Sequence, residues 1–121
     1  MIGGAHVLVY ADDAQAARAF LRDVLGWAHV DDGDGWLIFA LPPAELGVHP
    51  TEGSERASGE VELYLMCRDV EATIAQLRKQ GVECAPPADR GFGLLTTLEV
   101  PGLGQIGLYQ PKHDSPLGEL A

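Results

Sequence analysis

Basic residues are scarce in this chain: 8 Lys and Arg stand against 18 Asp and Glu, a formal charge of −10 with neutral histidine. Nucleic-acid binding relies on basic side chains that displace counterions from phosphates, so this balance argues against a nucleic-acid partner. It argues against an anionic membrane surface for the same reason. Cysteine is nearly missing too. Cys67 and Cys84 lack CxxC spacing and do not form a disulfide framework, which points to a reducing, cytoplasmic setting. No apolar run approaches the ~20 residues of a membrane span. The opening MIGGAHVLVYADD has no basic stretch ahead of its apolar one, so it does not read as a signal peptide. There is no Gly-x-Ser-x-Gly, no phosphate-binding loop and no Ser-His-Asp order, and Gly91-Phe92-Gly93 precedes a strand rather than a helix.

What is present suits one globular domain. The 121 residues are 46% hydrophobic and 21% charged, enough to bury a core without covalent staples. Residues 5–11 (AHVLVYA) alternate as a strand. Asp12, with Gln15 three residues on, is placed to cap a helix whose apolar face is Ala17, Phe20, Leu21, Val24 and Leu25, and Gly26 ends it. Strands are expected over 27–30, 36–41 and 44–49, with the DDGDG turn at 31–35. After a polar linker (50–59) the series restarts. A strand spans 61–67, and Asp69 caps a helix with Val70, Thr73, Ile74 and Leu77 on one face. Strands at 82–85, 94–100 and 105–110 follow, then a polar tail.

The two series are one series repeated. At an offset of 56, His6 meets Glu62, Asp13 meets Asp69 and Leu21-Arg22 meets Leu77-Arg78. At 58, Gly33-x-Gly35 meets Gly91-x-Gly93, and at 60, Leu46-Gly47-Val48-His49 meets Ile106-Gly107-Leu108-Tyr109. Each unit is βαβββ, spanning 5–50 and 60–112 with a tail at 113–121. A single helix cannot cover both faces of its sheet. Two units can form one bent sheet with the helices outside and a concave pocket inside.

The residues facing that pocket carry the chemistry. His6 and Glu62 occupy equivalent strand positions, where a polar side chain is costly unless satisfied. Three roles remain open for them: metal ligands, an acid/base pair, or a hydrogen-bonded pair that ties the two units together. His49, on the same strand face as Gly47, would complete a His6, His49 and Glu62 set for a divalent Zn, Fe, Mn or Ni ion. Glu62 and Tyr64 are the candidate catalytic groups. Tyr10, Trp36, Phe39, Met66, Phe92 and Tyr109 are candidates to line a small-molecule site. His29 is read as a surface residue, and His113, beside Lys112 in the tail, as unrelated to any site.

The stretch from His6 through VYADDAQAARAFLRDVLGW resembles the first module of the vicinal oxygen chelate superfamily, which includes glyoxalase I, bleomycin resistance proteins and extradiol dioxygenases. VELYLMCRDVEATIAQLRKQGVEC and the closing PGLGQIGLYQP resemble its second module. The resemblance covers about residues 5–112. It implies an α+β fold of two pseudo-symmetric βαβββ modules forming a cupped mixed sheet, and a homodimer. It also implies four metal-ligand positions, which here hold His6, Gly47, Glu62 and Gly107, and glycine offers no side-chain ligand. Two functions follow as expectations. One is a divalent-metal-dependent lyase, isomerase or dioxygenase-type enzyme. The other is a metal-free protein that sequesters an apolar small molecule or antibiotic.

Overall fold

The computed structural model describes residues 6–9, 11–45, 47–48 and 50–118. Two ten-residue helices, α1 (Ala14–Asp23) and α2 (Val70–Lys79), begin at equivalent aspartates. The Asp13 carboxylate accepts from Ala16 N at 3.0 Å and the Asp69 carboxylate from Ala72 N at 3.1 Å. Each thereby satisfies one of the amide donors that a helix N-terminus leaves unpaired. The first cap is therefore Asp13 and not Asp12, one residue later than the capping-box pattern suggested. Gly26 and Gly81 follow the helix ends with φ of 68° and 81°, a left-handed turn that glycine adopts without strain.

The chain forms two compact units. One is built from the chain up to Phe39 together with Val100–Gly104, and the other from Ala40–Glu99 together with the chain from Gln105 on. In the first, β1 (His29–Asp31) and β2 (Leu37–Phe39) form an antiparallel hairpin closed by the DDGDG turn. Ala17 and Phe20 are the buried residues of α1. The start of α1 is tied to the turn at 100–104 by Asp13 N donating to Gly102 O at 2.8 Å. Gly102 has φ +78° and a Cβ there would come 2.6 Å from that of Asp13, so glycine is required twice over.

The second unit holds β3 (Tyr64–Met66), β4 (Ala88–Asp89) and all but the Val100 and Gly104 ends of β5 (Gly93–Val100) and β6 (Gly104–Pro111), in the order β3-β6-β5-β4. β3 runs parallel to β6, placing Tyr64 beside Gly107 and Met66 beside Tyr109. One side of the sheet is core. Thr96, Leu98, Ile106 and Leu108 are buried, as are Val70, Ile74 and Leu77 of α2. Thr96 is satisfied there by donating to Ala85 O at 2.5 Å. The Gln110 side chain accepts from Val70 N at 3.0 Å, fastening the start of α2 to β6.

The sequence pattern overstates four strands. Residues 6–9 pair with no strand among the described residues, and Leu8 is 62% exposed. Of the strand expected over 44–49, the described residues 44, 45, 47 and 48 form none, with Val48 90% exposed, and Leu46 and His49 lie outside the described residues. β3 begins only at Tyr64, and 82–85 keeps a single bridge, Cys84 to Leu98. A strand needs a partner ladder for its backbone donors and acceptors, and alternation alone does not supply one.

Candidate functional site

The sheet face opposite the core gathers aromatic rings. The Tyr64 and Tyr109 rings meet edge to face, with centroids 6.0 Å apart and planes at 89°. Phe92, in the turn before β5, meets Tyr109 at 6.2 Å and 72°. Two glycines make room for these rings. A Cβ at Gly107 would lie 2.5 Å from Tyr64 Cε1 and 2.9 Å from its Cγ. A Cβ at Gly93 would lie 3.1 Å from Tyr109 Cδ2 and 2.7 Å from Gln110 O. Tyr64 and Phe92 stay 42% and 53% exposed, so the platform is open to a ligand. Edge-to-face pairs hold rings in place while leaving other faces free to stack.

Carboxylates flank the platform. Tyr64 OH donates to Glu62 Oε2 at 2.6 Å, and Arg56 Nε donates to Glu62 Oε1 at 2.9 Å. The Glu62 bond, ahead of partial burial, holds the Tyr64 phenol proton more tightly than usual. On the other side, Tyr109 OH donates to Glu45 Oε1 at 3.1 Å, and Ser115 Oγ donates to Glu45 Oε2. Burial, then Glu45, raises the Tyr109 pKa.

The structure thus brings together five of the residues singled out from the sequence: Glu62, Tyr64, Met66, Phe92 and Tyr109. Trp36 and Phe39 belong to the other unit. There the Arg18 guanidinium lies 4.5 Å from the Trp36 ring centroid, and Phe39 packs against Trp27 and His29. His6 is exposed in that unit. Tyr10 and His49 lie outside the described residues. Glu45, His113 and Ser115 join the cluster without having been expected there. The His113 ring, expected to be unrelated to any site, lies 6.1 Å from that of Tyr109. No motif marks Glu45 with Tyr109 or Ser115, because sequence separations of 64 and 70 residues are closed only by the fold.

Metal chemistry needs several donors converging on one point. Among the described residues no group of three or more His, Cys, Asp or Glu is placed to hold a metal ion. Both Glu62 oxygens are engaged by Tyr64 and Arg56, and the Tyr64 ring fills the space over Gly107. Of the expected donor set, His6 and Glu62 belong to different units and His49 lies outside the described residues. Cys67 and Cys84 are free thiols whose pKa values burial pushes up, the opposite of activation.

The sequence model of the glyoxalase/bleomycin resistance protein/dioxygenase superfamily matches residues 4–98. The chain belongs to that superfamily. Its fold is the superfamily's α+β fold, as the solved structures bear out. The antibiotic-binding protein TnmS3 from Streptomyces sp. CB03234 is 27% identical, with a TM-score of 0.61 over 93% of this chain and 100% of that one. A glyoxalase/bleomycin resistance protein from the same Streptomyces is 26% identical, with a TM-score of 0.56 over 84% and 95%. A lactoylglutathione lyase from Agrobacterium tumefaciens, 16% identical over 89% and 92% with a TM-score of 0.63, shares the fold alone. No curated protein sequence matches. No helix among the described residues of this superfamily member is long and apolar enough to cross a membrane.

Proposed function

We propose that this chain is a binding protein that takes up a flat, largely apolar small molecule on the Tyr64–Phe92–Tyr109 face and does not transform it. One observation carries the reading: the Tyr64 ring occupies the space over Gly107. A side chain there, including any metal ligand, collides with the ring, so glycine at this position serves an aromatic platform instead of a coordination sphere. Stacking on such rings recognises shape and needs no reactive group. The likeness to an antibiotic-binding protein at 27% identity supports the same reading and suggests antibiotic sequestration. The reading includes a homodimer working in the cytoplasm, where the two free thiols stay reduced.

The test pairs binding with metal analysis. Proflavine, a planar cation, and coumarin, a planar neutral molecule, are titrated against the parent chain and G107A by calorimetry. We expect binding to the parent and at least about a ten-fold loss in G107A, the cost of roughly one stacked ring. Thermal melts show whether G107A still folds. Y109A, which removes the ring at the centre of the platform, provides the second variant. Elemental analysis of untagged parent and H6A completes it. About one metal per chain, lost in H6A, would overturn the proposal in favour of a metal-dependent enzyme built on His6, His49 and Glu62.

A further inference from the structure

Just beyond β6, residues 112–115 lie beside the platform. Lys112 N donates to Phe92 O at 2.8 Å, and Lys112 Nζ pairs with Asp89 at 2.6 Å. The His113 ring then lies at 39° to that of Tyr109, the flattest of the three ring contacts Tyr109 makes. Its Nε2 is 3.3 Å from the Tyr109 hydroxyl. Ser115 builds a small turn, accepting from Leu117 N on its hydroxyl at 3.1 Å and from Gly118 N on its carbonyl at 3.1 Å. Its hydroxyl reaches Glu45, 70 residues earlier in the chain.

We infer that residues 113–118 are a releasable strap, latched by Ser115 on Glu45, that covers the hydroxyl end of Tyr109 until a ligand displaces it. This rests on the aromatic-face reading above. The His113 ring is tilted by 39° to that of Tyr109 with centroids 6.1 Å apart, and its Nε2 reaches the hydroxyl, so it shields that end of the ring from a ligand. The strap is also thinly held. His113, Asp114, Pro116 and Gly118 are exposed, and past Lys112 the strap's polar contacts with the other described residues of the unit are to Tyr109 and Glu45. A segment with few buried contacts opens at far lower free energy than the core. Both groups it releases are of use to a ligand. The Tyr109 ring offers a stacking surface, and Glu45 offers a carboxylate to a hydroxyl or ammonium donor on that ligand.

Trypsin tests the strap, because the Lys112–His113 bond sits at its root. In the ligand-free chain, S115A and E45A should raise cleavage after Lys112 by about ten-fold, the value of one hydrogen bond to a carboxylate. S115T keeps the hydroxyl and should cleave at the parent rate. Cleavage of S115A at the parent rate would overturn the latch. With saturating proflavine, the parent should cleave as fast as S115A, and S115A should bind proflavine about ten-fold more tightly than the parent does. Protection of the bond by proflavine would overturn displacement, since the strap would then close over the ligand. Binding of proflavine and coumarin to neither form would sink the aromatic-face reading and displacement together, while cleavage of the ligand-free variants still decides the latch.

Discussion

Glu62 shows how one residue type can suggest several functions until its neighbours are known. From the sequence it is a ligand, a base or a structural partner. In the fold it is the acceptor that fixes Tyr64, with Arg56 on its second oxygen. That bond makes a prediction in alkali. The folded chain holds the Tyr64 proton more tightly than the unfolded chain, first because the phenol donates to Glu62 and then because it is partly buried. The stabilisation is intact below the ordinary phenol value of 10.0 and is lost as pH rises through the raised value. Phenolate absorbance should therefore show Tyr64 ionising above 10.0, and E62Q should bring it back toward that value, with Y64F identifying the transition. Unchanged titration in E62Q would mean that Glu62 does not hold the proton.

Among the elements, the two helices and two hairpins carry the repeat in their smallest details. Both helices start one residue after a capping aspartate, 56 positions apart. The Asp31 side chain accepts from Gly33 N at 2.8 Å, and Asp89 does the same for Gly91 N at 2.9 Å, 58 positions later. The offsets are those read from the sequence, because caps and side-chain turns depend on contacts within three residues. The repeat itself marked Asp13 as the partner of Asp69, and this was a better guide to the cap than the capping-box spacing of Asp12. D13A should cost about 1 kcal/mol by denaturant titration, and D12A should cost close to nothing. Equal losses would place the cap elsewhere. The edge strands were less legible. Val7 and Val9 alternate well, but an exposed segment without a ladder partner has nothing to make it a strand.

At the scale of the molecule, the charge of −10 has consequences that no single contact has. A negative field draws cations toward the platform from outside contact range, and salt screens it over roughly 8–10 Å. The association rate of proflavine should fall steeply between low and physiological salt, whereas that of coumarin should hardly change. Stopped-flow fluorescence checks both, and equal salt dependence would show that the field does not steer. The core under the platform is the other whole-molecule property. Leu98, only 1% exposed, sits on β5 within a sheet whose opposite face is aromatic, so one side of the sheet is core and the other carries the exposed rings.

The family, the two helices and the side-chain turns at Asp31 and Asp89 were legible in the sequence alone. These follow from local spacing and composition, which each segment carries with it. Only the tertiary structure decided which of the chemically able residues act together. Gly107 gains its meaning from the Tyr64 ring beside it in a parallel ladder, 43 residues away in sequence. Glu45 and Ser115 gain theirs from each other across 70 residues. Such pairs leave no periodic trace in a single sequence, because nothing but the closed fold brings their side chains within reach.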